Sequence, residues 1–168
     1  DGILFPNEMV AEAYAASVGR NYNLPAVTAC FNPGMSFSKA MPAVTIDNEE
    51  VINKAIDYLI GLGHKKIGMT LPFSYGYVDL RFRYWEERMK QEIGIGYEKY
   101  IIDVQDRVKR RSNTRGIKIP CPQESGDFLC YDWFYIGKEV AEFYVSMRYK
   151  PTVILCFNDD IAFGTMEY

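Results

Sequence analysis

Short apolar runs alternate with amphipathic stretches along nearly the whole chain, and that alternation leaves few folds open. Residues 2–5 ("GILF") read as a strand, and 8–19 ("EMVAEAYAASVG") as a helix that stops at Gly19. Residues 26–30 ("AVTAC") give a second strand, reached through Pro25. A loop containing Pro33, Gly34 and Pro42 leads into "TIDNEEVINKAIDYLIGLG", where Ile52, Ala55, Ile56 and Leu59 fall at helical spacing. Asp47 suits the N-cap, Glu49 and Glu50 sit in the electropositive first turn, and Gly63 suits the left-handed residue past the end. Strands follow at 66–71, 99–104 and 152–157, and helices at 79–94, at 133–147 and from 161. Strand and helix in alternation predict an α/β fold, parallel sheets covered by helices.

The chain has 168 residues and a net charge of −3, and is 48% hydrophobic and 15% aromatic. That supplies one ordinary core or two small lobes, and argues against disorder. The charge gives no general attraction to nucleic acid or to an anionic membrane. No apolar run approaches the roughly 20 residues that span a bilayer, so no membrane partner is expected. The opening "DGILFPNEMV" has no basic stretch ahead of an apolar one, so no signal peptide is visible. Cys30, Cys121, Cys130 and Cys156 show no CxxC spacing and His64 is the single histidine. That pattern argues against a metal site and suits a reducing cytoplasm.

One connection is out of proportion. The stretch from Val104 to Trp133 far exceeds the about 2–6 residues usual between α/β elements, and reads as an insertion over about residues 105–130. Within it, "RVKRRSNTRGIK" (107–118) carries six basic residues and no acid. Such a run reads as a solvated or partly disordered excursion, with a nucleic-acid patch as the sharper alternative. The chain also begins inside a strand and stops inside a helix with no C-cap, which reads as an excerpt of a larger protein.

Nucleotide chemistry finds little support. Gly61-x-Gly63 and the "GIG" at 94–96 both follow helices, whereas phosphate-binding glycines lie between a strand and a helix. His64 has no GxSxG serine to serve and no metal-ligand partner. Its position after a helix suits bonding to the last carbonyls, as Lys65 and Lys66 also could. No catalytic residue and no cofactor is expected.

Binding is better represented. Arg81 and Arg83 begin the helix after strand 66–71, where they either line an ordinary surface or face a ligand beyond the strand ends. The loop "PFSYGYVD" (72–79) and the pair Asn158-Asp159 occupy equivalent places, and Trp133 opens a helix that could meet them. Guanidinium and carboxylate fix hydroxyls through charge-assisted hydrogen bonds, while an indole packs on the apolar face of a ring. Together they suit a polyhydroxylated molecule.

These residues bear a resemblance. "VTIDNEEVINKAIDYLIGLGHKKIGMT" (44–70) resembles the segment of the lactose/galactose-repressor family that runs V-x-x-D-N, a helix, then Y-L-x-x-L-G-H-x-x-I. "PTVILCFNDDIAFGTME" (151–167) resembles its P-T-A-x-x-x-x-N-D-x-x-A-x-G, and "DGILFP" and "LPAV" its D-G-I-I and I-P-V-V, in the same order. The likeness covers nearly all of the chain outside the insertion. It implies an effector-binding core of the periplasmic-binding-protein-like (type I) kind: residues 1–64 part of the first lobe and the crossover, 65–168 most of the second. By position it places Arg83 at the effector-binding arginine, Asp159 at the aspartate of N-D and Trp133 at the stacking aromatic. Tyr77 and Asp79 fall at loop positions that contact effector. Glu86 stands where the family usually has glycine, three residues after the arginine, and Val51 where a glycine commonly follows D-N.

The function so implied is ligand sensing in a cytoplasmic transcription regulator. It would take a sugar or similar small molecule between two lobes, work as a homodimer and reach DNA through a domain outside this chain. A transport-type sugar-binding protein of the same fold is the alternative, and an enzyme on an α/β scaffold the third reading, without a motif to support it.

Overall fold

Pro25 and Pro42 each stand just before a strand, and both strands join one parallel sheet. In the computed structural model, which describes residues 1–6, 10, 11, 13, 14, 17, 25–30, 42–71, 80–108, 110 and 133–168, the chain divides into two compact units, Asp1–Ile52 and Asn53–Tyr168. In the first, β1 (Ile3–Phe5), β2 (Ala26–Cys30) and β3 (Ala43–Thr45) lie in that order, Ile3 opposite Ala26 and Thr28 opposite Ala43. The prolines have no N–H to give the ladder, but their carbonyls extend it: Pro25 O accepts from Ile3 N at 2.8 Å and Pro42 O from Thr28 N at 3.1 Å. Residues 10, 11, 13, 14 and 17 are helical. Ala11 packs with Phe5 and Ala26, and Tyr14 meets the Phe5 ring at 5.1 Å.

β3 is an addition to the elements expected. All three of its residues are exposed, so no apolar alternation marks them, and pairing with β2 is what holds them.

α1 (Asn48–Gly61) starts and stops as its sequence predicts. Asp47 Oδ1 accepts from Glu50 N at 3.0 Å. At the other end Gly63 takes φ 92°. Gly63 N then donates to Ile60 O and His64 N to Leu59 O, the paired bonds of a left-handed helix stop.

The second unit holds β4 (Ile67–Leu71), α2 (Leu80–Ile93), a 3-10 turn (Tyr97–Tyr100), β5 (Ile101–Asp103), α3 (Trp133–Ser146), β6 (Val153–Leu155) and α4 (Asp159–Met166). Its sheet is parallel, with order β5-β4-β6, and β4 is buried along its whole length. On α2, Phe82, Trp85 and Met89 fall three and four apart and are all buried, the stripe that a helix covering a sheet requires. Ile102, Val104, Val108, Ile136, Val140 and Ile161 form the core that β5, α3 and α4 share.

Two expectations change here. A strand from residue 99 is replaced by the 3-10 turn: Gly96 takes φ 98°, and Glu98 Oε2 accepts from its N–H at 3.1 Å. Tyr97 and Tyr100, three residues apart, are thereby both buried. The insertion also begins as packed structure. Residues 105–108 are helical and Val108 joins the core. Arg107 Nε lies 3.5 Å from the buried carboxylate of Glu139, and its Nη2 donates to Glu142 at 3.0 Å. The remainder of 107–118, apart from Arg110, lies outside the described residues.

α3 and α4 meet backbone to backbone. A Cβ built on Gly137 would stand 2.7 Å from Gly164 Cα and 2.8 Å from Thr165 N, and one on Gly164 would stand 2.9 Å from the Phe134 carbonyl carbon. Real side chains do not approach so closely, and only glycine fits at either place.

Candidate functional site

In the order β5-β4-β6 the chain leaves β4 to build β5 on one side, then returns past β4 to build β6 on the other. Ligands of open parallel sheets bind outside the carboxyl ends of the strands at such a reversal, here between β4 and β6. Fully buried Thr70, near the end of β4, accepts from Phe157 N at 2.8 Å through its hydroxyl, which ties the segment after β6 to β4.

The Phe157 ring collects the site. Arg81, in the first turn of α2, stands with Cζ 4.1 Å from the ring centroid while Nη1 donates to Phe157 O at 3.0 Å. Trp133, the first residue of α3, stacks on the same ring at 5.9 Å with an interplanar angle of 14°. Arg81 from α2, Trp133 from α3 and Phe157 from the segment after β6 therefore meet at one point. Next along the chain, Asn158 in extended conformation (φ −149°) caps α4, its Oδ1 accepting from Ile161 N at 2.9 Å. The Asp159 and Asp160 side chains are left exposed in the first turn, and Asp159 Oδ1 accepts from Asp160 N at 3.1 Å. The run of three polar residues is thus divided: one caps the helix and two face outward.

Arg83 is exposed on α2 and makes no hydrogen bond or ion pair among the described residues. Glu86, about one turn on, feels the Arg83 charge but makes its bonds elsewhere. It accepts from Tyr97 Oη at 2.6 Å and pairs with Lys90 at 3.3 Å. The tyrosine hydrogen bond first, and the lysine after it, hold the Glu86 carboxyl below its ordinary pKa, while burial opposes them. Tyr77 and Asp79 lie outside the described residues.

Sequence reasoning named Arg81, Arg83, Trp133, Asn158 and Asp159 and passed over Phe157. Its one signal was position, the last apolar residue before a polar cap. The groups gathered here offer N–H donors, a carboxylate acceptor and flat apolar faces. That is equipment for binding, and none of them is a nucleophile with a base beside it. Among the described residues no cluster of His, Cys, Asp or Glu could hold a metal ion.

Parallel strands with helices on the sheet give an α/β fold of the periplasmic-binding-protein-like kind. Solved structures share this fold. An uncharacterized protein from Actinobacillus succinogenes matches with a TM-score of 0.60 and 17% identity, over 99% of this chain and 50% of that one. A regulatory protein of the LacI family from Chloroflexus aggregans matches with a TM-score of 0.58 and 19% identity, over 99% and 50%. A transcription regulator from Lactobacillus plantarum matches with a TM-score of 0.53 and 12% identity, over 99% and 70%. The chain spans half the length of the first two. The chain shares its fold with these three structures, in keeping with the resemblance of the motifs. No protein-family model matches the chain, and no curated protein does.

Proposed function

We propose that this chain is the ligand-sensing part of a DNA-binding transcription regulator, and that it binds a sugar or similar small polar molecule. In this reading residues 1–64 belong to one lobe and the crossover, and 65–168 form most of the other, with the effector taken up between lobes. What supports it is the convergence of Arg81, Phe157 and Trp133 at the β4/β6 reversal, beside the exposed first turn of α4, in a fold shared with regulators.

Arg83 and Asp159 supply charged hydrogen bonds to ligand hydroxyls and Trp133 an apolar face, with Tyr77 and Asp79 completing the contacts from the loop before α2. Arg81 is held on Phe157 and serves as the wall behind them. The protein works without a cofactor and is not an enzyme. It acts as a homodimer in the cytoplasm and reaches DNA through a domain outside this chain. Effector binding biases the arrangement of the lobes and so the presentation of the DNA-binding domains.

The test is a panel of sugars and sugar phosphates screened by melting temperature on the intact protein. A ligand at about 100 times its dissociation constant stabilises the folded state by roughly 2.7 kcal/mol, a clear thermal shift. Arg83→Ala or Asp159→Ala removes a charged hydrogen bond of about 1.5–3 kcal/mol, so affinity falls roughly ten- to hundredfold. A ligand to which both variants respond unchanged rules out this site.

A further inference from the structure

The opposite end of the second unit's sheet, where its strands begin, carries a cluster of positive charge with no part in the site above. Lys65 and Lys66 lead into β4, Lys99 leads into β5, and Arg148 and Lys150 lead into β6; all five are exposed. The strand register holds these leads side by side. Ile67 lies opposite Val153 and Met69 opposite Ile101, and Thr152 N donates to Lys66 O at 2.7 Å.

None of the five has a carboxylate within ion-pair distance among the described residues, whereas Arg88, Lys90, Arg107 and Lys138 each find one. Glu98 is the single acid in these three leads, and its carboxylate is turned to the Gly96 N–H. Aromatic rings position three of the five instead. Lys99 Nζ lies 5.3 Å from the Tyr149 ring and 5.4 Å from that of Tyr100, Arg148 Cζ lies 5.3 Å from the Tyr149 ring, and Lys150 Nζ lies 5.4 Å from the Tyr144 ring. A ring attracts a cation without cancelling its charge, so the field of the cluster stays open to solvent.

We propose that this face binds the phosphate backbone of duplex nucleic acid, without reading its sequence. The chain as a whole is acidic, at −3, so the cluster is a local reversal of sign. Adjacent strands lie roughly 4.8 Å apart, which crowds the five cations onto three neighbouring chain segments. A duplex, with one charge per roughly 1.7 Å of axis, answers that density. Lysine predominates, a point charge suited to phosphates at no fixed angle. The Tyr149 ring, the exposed one, is engaged by Lys99 and Arg148. That favours a duplex over unpaired bases, which need free rings for stacking.

The experiment measures binding of the 168-residue chain to a fluorescent DNA duplex of arbitrary sequence, over salt from about 50 to 200 mM. Five phosphate contacts give a slope of log affinity against log salt near −4.5, at about −0.9 per contact. The triple variant Lys99→Gln, Arg148→Gln, Lys150→Gln reduces that slope by about 2.7 and keeps the melting curve of the parent, since all three side chains are exposed. A control variant, Arg110→Gln, Arg111→Gln, Arg115→Gln, keeps the parent slope. The proposal is overturned if the parent does not bind duplex, if the triple variant binds like the parent, or if only the control variant loses binding. It is equally overturned if the single strand binds more tightly, or if polyglutamate displaces the duplex at equal charge, which would indicate an acidic protein partner.

Discussion

The imidazole Nδ1 of His64 lies 3.0 Å from Thr152 Oγ1, joining residues 88 apart in the chain. The same hydroxyl donates to Lys66 O at 3.2 Å, and the Nδ1–H tautomer of His64 is the one that lets both bonds form together. Instead of turning back to the carbonyls of α1, the His64 side chain ties the lead into β4 to the lead into β6.

Thr152→Val keeps the shape and removes both bonds. It should cost roughly 0.5–1.5 kcal/mol of stability, at the low end because the pair is exposed. His64→Ala should cost less, and the double variant less than the sum, with a coupling of at least about 0.5 kcal/mol. Urea titration of the four proteins measures it. Strict additivity would show that the bond contributes nothing.

Gly137→Ala and Gly164→Ala should each destabilise the protein by roughly 1–3 kcal/mol or more, because the new methyl meets backbone, which cannot swing aside. Gly61→Ala, in α1, provides the opposite case. Nothing lies within 4 Å of its Cβ position, so alanine should stabilise by up to about 1 kcal/mol through helix propensity. Thermal melts of the three variants should therefore move in two directions.

The bond between Tyr97 Oη and Glu86 should leave a mark at both ends of the pH scale. It lowers the Glu86 pKa below 4.5 and raises that of Tyr97 above 10.0. The Glu86 contribution is complete above its ordinary pKa and is lost as pH falls through the depressed value. The Tyr97 contribution is complete below its ordinary pKa and is lost as pH rises through the elevated one. Tyr97→Phe should cost about 1 kcal/mol near neutrality. The gap between its melting temperature and that of the parent should narrow in acid and again in strong base. A gap that does not change with pH would mean the bond is absent in solution.

Cys156 should be slow to react. Burial pushes its thiol from 9.0 to about 11, which lowers the thiolate fraction at pH 8 roughly hundredfold. Alkylation by iodoacetamide, followed at the Cys156 peptide, should be slower by about that factor in the folded chain than in urea. Equal rates would mean the side chain is not enclosed as described.

What the sequence revealed and what it concealed follow from the kind of interaction involved. Local ones were legible. Asp47, Gly63 and Asn158 act within a few residues of themselves, and each does what its type predicts. The helix over 79–94 was legible too, and the structure shows Phe82, Trp85 and Met89 as its buried face. Contacts between distant segments were not. β3 is held by its pairing with β2, and the 3-10 turn comes with the burial of both Tyr97 and Tyr100. Arg81 was visible as a candidate beside Arg83, but its seat on Phe157 spans 76 residues, and no spacing rule reaches that far. The basic cluster was concealed for the same reason, since its members come from three separate leads that the sheet brings together.

The contact of Gly137 with Gly164 has a mechanical consequence. Trp133 begins α3 one turn before Gly137, and Asp159 begins α4 shortly before Gly164. At this crossing no side chain stands between the two backbones, so the spacing of the helices is set there by main chain alone. The starts of the two helices, which carry the indole and the carboxylate, are therefore tied to one fixed crossing rather than to a layer of interchangeable side chains.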